Sequence, residues 1–288
     1  MESYQSLFLK TYFPREFMVA VINNFGGFYS TELYFHELRR AGAVVHPPCV
    51  NNSDELTNIH GNDVYIGLIH VKQLEKSTVE TLLEERSREG NYLHLQDLIQ
   101  RTGIGMEQLN ILIRVGALRF TGKNKKELLW EANFLHKHIK QKAGVELFAS
   151  RPMNFALPVL YQTPLEDAMD EIELLGFPLC DPFLLVDLDF QNFVFAKDLA
   201  KHSGQQVEML GYYVTEKPVR TIKGQLMQFG TFIDPHGDWL DTVHFPEIAR
   251  LAPLSGKGFY HMKGKVVEDF GVFSVEVGWM KKVGIKTS

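Results

Sequence analysis

Gly103-Ile104-Gly105 interrupts two apolar runs at helical spacing, with Leu95, Leu98 and Ile99 before it and Met106, Leu109, Leu112 and Ile113 after it. The spacing predicts a helix, a tight hairpin and a second helix. Glycine at both turn positions permits positive φ without a Cβ clash, and the second helix begins with unpaired N–H groups at its positive dipole end. Such an end binds an anion, phosphate being the obvious one. Residues 101–142 carry nine Lys or Arg against three Glu, a local +6 within a chain of net charge −5. A polyanion would land there. Gly103, Ile104 and Gly105, with Arg101, Lys123, Lys125 and Lys126 around them, are the candidate phosphate contacts. The plainer reading is a helical hairpin with glycines for packing and a solvated basic face.

The other residues able to do chemistry are fewer. Asp187-Leu188-Asp189 has the carboxylates that two-metal phosphoryl transfer needs, but as a lone pair at strand spacing in an acidic stretch it fits a solvated face better. A nuclease or polymerase acting in its own right would have to use that pair. His136 and His138 are two apart and point to different helix faces, which makes them surface residues rather than ligands. Cys49 and Cys180 lack the spacing of a disulfide framework or thiolate site. With no Walker loop, Gly-x-Ser-x-Gly elbow or Cys/His cluster, no cofactor or metal is expected in this chain.

The elements that must position these residues follow from length and pattern. With 288 residues, 45% of them hydrophobic, the chain can form two modest domains. No apolar run approaches the roughly 20 residues of a membrane span, and the N-terminus lacks a basic start before an apolar block, so a soluble cytoplasmic protein is expected. Three short helices are predicted within residues 2–42, with Pro14 in the first turn of the second and Gly42 ending the third. Residues 44–52 run extended, and Val64, Ile66 and Leu68 alternate like a short strand. A basic helix follows at 123–142. Residues 161–199 then hold nine Asp or Glu and one Lys, which suggests a segment facing away from a polyanion. Strands are predicted over 207–214, 226–233, 239–245, 258–267 and 272–279, with a helix-capable stretch at 246–252 between the third and fourth. That is the order of an OB-fold barrel, which binds single strands across its second and third strands and nearby loops.

Ser3-Tyr4-Gln5-Ser6, Leu9-Lys10-Thr11-Tyr12-Phe13-Pro14, Glu16-Phe17-Met18, Arg39-Arg40-Ala41-Gly42, Pro47-Pro48-Cys49-Val50-Asn51 and Ile66-Gly67-Leu68 occur in an order that resembles the bacterial DNA polymerase III alpha subunit from the end of its fingers onward. Leu95-Gln96-Asp97-Leu98 and Leu112-Ile113-Arg114-Val115-Gly116-Ala117-Leu118 continue the resemblance. It implies an α+β multidomain chain: an all-α N-terminal region with a helix-hairpin-helix module, then a five-stranded OB-fold β-barrel. The implied parts are an end-of-fingers region (1–60), a tandem helix-hairpin-helix module gripping duplex phosphates (61–140), an acidic connector (141–204) and the barrel (205–288). The family's phosphoesterase-like domain, palm and most of its fingers would precede Met1, its tau-binding domain would follow Ser288, and Mg²⁺ would belong to the missing catalytic domain. The chain alone should therefore bind DNA without copying it, alongside a polymerase catalytic chain or the missing N-terminal domains.

Departures from the family also speak. Its first hairpin usually carries Gly-Val-Gly, where this chain has Val71-Lys72-Gln73-Leu74-Glu75, so a carboxylate stands where phosphate would approach and the hairpin reads as structural. Gly144-Val145-Glu146-Leu147-Phe148 occupies the place of the family's sliding-clamp peptide, but with Gly144 instead of glutamine; Glu146, Leu147 and Phe148 are the candidate clamp contacts. On the barrel, Lys217, Arg220 and Lys223 between the first two strands are candidates for a single strand's phosphates, and Phe229, Phe232 and Trp239 for stacking, although at least half of these aromatics must fill the interior. The barrel alone would equally suit a tRNA-binding protein. Leu7, Phe8, Phe17 and Phe35 either mark a docking surface for a polymerase body or fold back on residues 60–120.

Overall fold

The computed structural model describes residues 2–25, 27, 29–141 and 160–286. They form two compact units that part between Leu179 and Cys180. The acidic stretch is thus no separate body: its first half belongs to the helical unit and its second half to the barrel.

The helical unit opens with α1 (Glu2–Tyr12), α2 (Pro14–Asn23) and α3 (Thr31–Arg40). Pro14 starts α2, where its missing N–H costs nothing. The region is not purely helical. β1 (Val44–His46) pairs parallel with β3 (Asp63–Tyr65), and β3 pairs antiparallel with β2 (Asn58–His60). A 3-10 turn at Leu68–His70 leads to α4 (Lys76–Glu89), α5 (Leu95–Thr102), α6 (Met106–Arg114), α7 (Lys125–Gln141) and α8 (Pro164–Leu174). A capping box between Thr163 and Glu166 starts α8. One core joins these elements through Phe35, Leu38, Ile66, Leu98, Leu109, Leu112, Leu135 and Leu174. Removing such side chains from water is what holds short helices in place, since helices of eight to eleven residues are marginal alone.

The second unit is a closed barrel of β4 (Gln206–Arg220), β5 (Leu226–Ile233), β6 (Trp239–His244), β7 (Phe259–Asp269) and β8 (Val272–Val283), in the order β4-β5-β6-β8-β7. Only β6 and β8 pair in parallel. With α9 (Pro246–Leu251) between β6 and β7, this is an OB-fold. Phe232, fully buried, fills the interior; a Cβ on Gly211 or Gly230 would come within 2.8 Å of its side chain. Thr242 and His244 also point inward and hydrogen-bond at 2.8 Å, and burial pushes the His244 imidazole down to about 4. β4 runs six residues past its expected end: Thr215 to Arg220 pair with β5 back to Leu226 and make a hairpin arm. Outside the barrel, Phe183 and Val186 cover Leu210 and Phe259.

Candidate nucleic-acid interface

α5 begins at His94, whose Nδ1 accepts the N–H of Asp97, and ends at Gly103 in the left-handed region at φ +62. Gly103 donates to Ile99 O at 2.9 Å, while the Thr102 hydroxyl donates to Leu98 O and accepts the Ile104 N–H at 3.2 Å. Ile104 turns its side chain into the core, and its carbonyl accepts from His136 Nε2 at 3.0 Å. The next residue, Gly105, caps α6 with ordinary φ (−70), no capping side chain, and nothing within 4 Å of where its Cβ would be. Only Gly103 therefore needs glycine for its conformation; at Gly105 the missing side chain leaves the first turn of α6 uncovered. The N–H groups there, with the helix dipole behind them, suit an anion. Exposed Glu107 in the same turn works against it. Ile104, a candidate phosphate contact, is instead a packing residue whose N–H is already engaged.

The first hairpin has the same plan and the opposite state. Gln73 takes the left-handed position at φ +64, where a residue with a Cβ is strained by about 1 kcal/mol or more. Glu75 takes the cap position of α4. Gln108, reaching across from α6, accepts the Glu75 N–H at 2.8 Å and donates to the Gln73 carbonyl at 3.3 Å. Lys72 N–H donates to Leu174 O at 2.7 Å. The Lys72 and Glu75 N–H groups are thus used inside the protein, while the first turn of α4, like that of α6, has no side-chain cap.

The basic block is also largely spent. Arg101 is a structural residue: it donates to Glu85 O at 2.6 Å and Gly90 O at 2.9 Å, pairs with Asp97 at 3.3 Å and lies 4.3 Å above the Tyr92 ring. Buried Lys125 pairs with Asp167 at 2.5 Å and Asp170 at 3.3 Å. Lys126 pairs with Glu166 at 2.8 Å and Lys123 with Glu131 at 2.6 Å, although both remain partly exposed. Arg114 joins Asp170 at 2.8 Å and also Glu173, whose carboxyl it holds below the usual range through a hydrogen bond; Lys126 does the same to Glu166. The first half of the acidic segment thus folds onto the basic one instead of facing away.

On the barrel, the strand register sorts the candidates. Phe229 stands opposite Lys217 on one side and Val243 on the other, and Trp239 opposite buried Ile233; the side chains of Phe229, Lys217 and Trp239 face outward. Phe229 is 42% and Trp239 36% exposed. Phe232, a candidate stacking residue, points into the barrel and can stack on no ligand. Lys217 and Arg220 are strand residues of the β4–β5 arm rather than loop residues; Lys223 lies in the turn at its tip.

The remaining candidates separate in the same way. Gly144, Glu146, Leu147 and Phe148 lie outside the described residues. Asp187 and Asp189 are exposed, Asp189 Oδ1 accepting the Gln191 N–H at 3.1 Å, and among the described residues no group of three or more His, Cys, Asp or Glu could hold a metal ion. Of the four N-terminal apolar residues, Phe35 is fully buried and Phe17 packs on the core, while Leu7 (64% exposed) and Phe8 (55%) stay open. Two residues outside the candidate set hold the hairpins in place. His136 is no plain surface residue, since it pins the second hairpin. Gln108 seals the first, and its signal was an amide one turn before Leu112 on a buried helix face.

Among the described residues, no helix is long and apolar enough to cross a membrane. Residues 42–128 match the helix-hairpin-helix motif family. The DNA polymerase III alpha subunits of Treponema pallidum and Borreliella burgdorferi are 25% and 26% identical over 85% of this chain, which covers 22% and 23% of their lengths. The error-prone DNA polymerase of Mycobacterium bovis is 33% identical over 45% of the chain and 12% of its own length. The chain thus spans under a quarter of each of these relatives. Solved single-stranded DNA-binding proteins from Thermus aquaticus (19% identity, TM-score 0.25, 27% of this chain and 39% of that one) and S. cerevisiae, Rim1 (11%, TM-score 0.23, 28% and 98%), overlie small parts of it. The chain is thus similar to bacterial DNA polymerase III alpha subunits along most of its length and to error-prone DNA polymerases over less than half of it, with a helix-hairpin-helix match at residues 42–128.

Proposed function

We propose that this chain is a DNA-holding part of a polymerase III alpha-like replication protein. The open first turn of α6 at Gly105, inside the matched helix-hairpin-helix region, carries this reading. Its N–H groups take a duplex phosphate, with partly exposed Lys123 and Lys126 adding counterion release. The outer wall of β5 and β6, with Phe229, Trp239 and Lys217, takes a single strand by stacking. The exposed Leu7 and Phe8 of α1 dock on a polymerase body that supplies the catalytic carboxylates and Mg²⁺, in the cytoplasm, and Glu146, Leu147 and Phe148 contact a sliding clamp. Clamp titration with a Leu147→Ala/Phe148→Ala variant tests the last point; affinity equal to that of the parent chain rejects it. The chain alone extends no primer, and primer extension that disappears in Asp187→Asn/Asp189→Asn would overturn that.

The central test is Gly105→Glu, which gives the second hairpin the carboxylate of the first at a site where φ and free space tolerate a side chain. Duplex affinity at low salt should fall about tenfold or more, the size of one lost charge-assisted contact plus repulsion. Ser77→Glu, the same charge placed in the first turn of α4, should change it less than about twofold. Equal losses in both variants would reduce the hairpin to a scaffold in a general field.

A further inference from the structure

The barrel carries a second aromatic and basic surface, on the outer wall of β7 and β8. Lys263 stands opposite Trp279, and His261 opposite Lys281. The Trp279 indole is met edge-on by His261 at 5.0 Å, and His261 in turn stacks on Phe193 at 4.9 Å. Glu208 of β4 accepts from His261 Nε2 at 2.6 Å and from Lys263 Nζ at 3.1 Å, which holds the imidazole against the indole and sets the ammonium 5.9 Å over it. Trp279 is nevertheless 43% exposed, more than Trp239 on the wall assigned to a single strand. Lys265 and Lys281 project from the same face, both exposed and neither in an ion pair among the described residues. In an acidic chain this wall sets three lysines against Glu208 and Glu276.

An exposed indole costs free energy unless something covers it in use, and this one is already fixed in orientation, so covering it loses little side-chain entropy. A flat π-system fits the ring, and regularly spaced anions fit the lysines around it. A single-stranded nucleic acid supplies both together. We propose that the β7–β8 wall is a second single-strand subsite, in which a base stacks on Trp279 and the flanking phosphates meet Lys263, Lys265 and Lys281. It rests on the reading of the barrel as a strand-binding unit. Because β6 pairs directly with β8, the two walls are neighbours around the barrel, and one strand can pass from Trp239 and Phe229 to Trp279.

The test uses the full chain and oligo(dT) of two lengths, about 8 and about 25 nucleotides, chosen to fill one wall or both. Trp279→Ala/Lys281→Ala should weaken the long oligonucleotide about fivefold or more and the short one less than about twofold, whereas Phe229→Ala/Trp239→Ala should weaken the short one most. Lys265→Glu/Lys281→Glu, which leaves every ring in place, should reproduce the selective loss on the long oligonucleotide and so excludes a misfolded barrel as its cause. Wild-type affinity of both β8 variants for both lengths overturns this proposal, and leaves the β5–β6 reading standing if the Phe229/Trp239 variant still fails on the short one. Loss of both lengths in the β8 variants with no effect at Phe229 and Trp239 keeps the subsite and removes the β5–β6 wall instead.

Discussion

The two hairpins of the helical unit share one backbone plan and differ in what their N–H groups face. Each has a left-handed residue two positions before a helix cap, Gln73 and Glu75 in the first, Gly103 and Gly105 in the second. Neither helix has a side-chain cap; in the first, Gln108 takes the N–H of the cap residue and that residue is an exposed glutamate, whereas in the second the cap residue has no side chain at all. Gln108 belongs to α6, the helix whose own N-terminus is the open one. One element therefore closes the first hairpin and presents the second. Two hairpins can share a backbone conformation, which needs one left-handed residue, and differ in the side chains and donors they present at the helix start.

Three substitutions probe that difference, in falling order of effect. Gln108→Ala removes both hydrogen bonds to the first hairpin and leaves the part-buried Glu75 N–H and Gln73 carbonyl without that partner. It should destabilise the helical unit by about 1 kcal/mol or more in denaturant unfolding. A change below about 0.5 kcal/mol would mean that water satisfies those groups and the hairpin was never sealed. Next, Glu166→Gln/Glu173→Gln frees Lys126 from its carboxylate partner and leaves Arg114 with Asp170 alone. Duplex affinity should rise about threefold, with a steeper dependence on salt. An unchanged salt slope would show that these cations never reach phosphate. The smallest effect is expected at Gln73→Gly. Relief of the left-handed strain, about 1–2 kcal/mol, slightly exceeds the entropy that glycine loses on folding, about 0.5–1 kcal/mol. The variant should be a few tenths of a kcal/mol more stable, with duplex affinity unchanged; a gain in affinity would show that Gln73 rather than Gln108 keeps phosphate away.

The helix-turn-helix spacing around Gly103, the proline start of α2 and the strand order of the barrel were legible because each is a local signal. The fates of individual side chains were not. Arg101 and Lys126 are both cations in a basic block, and only the fold shows that Tyr92, Glu85 and Gly90 surround the one while the other stays half exposed. Phe229 and Phe232 lie on one strand, so alternation says that they face opposite ways but not which faces in. Gly211 and Gly230 decide it, by leaving room for Phe232 that no side chain there would leave. The β4–β5 arm hid for a related reason: Pro218 and the charged residues beside it read as loop, yet β4 runs straight through to Arg220. The pairing of Lys125 with Asp167 and Asp170 joins residues more than forty positions apart, beyond the reach of any local pattern.

The claim that one hairpin is open and the other sealed is tested most directly by following backbone amide chemical shifts in both during one titration with duplex DNA. The amides of Gly105 and Met106 should shift progressively and saturate, and their shifts should weaken as salt is raised, while those of Gln73 and Glu75 stay within the scatter of residues remote from the site. Equal movement in the two hairpins, or movement at Glu75 with none at Gly105, would contradict the account.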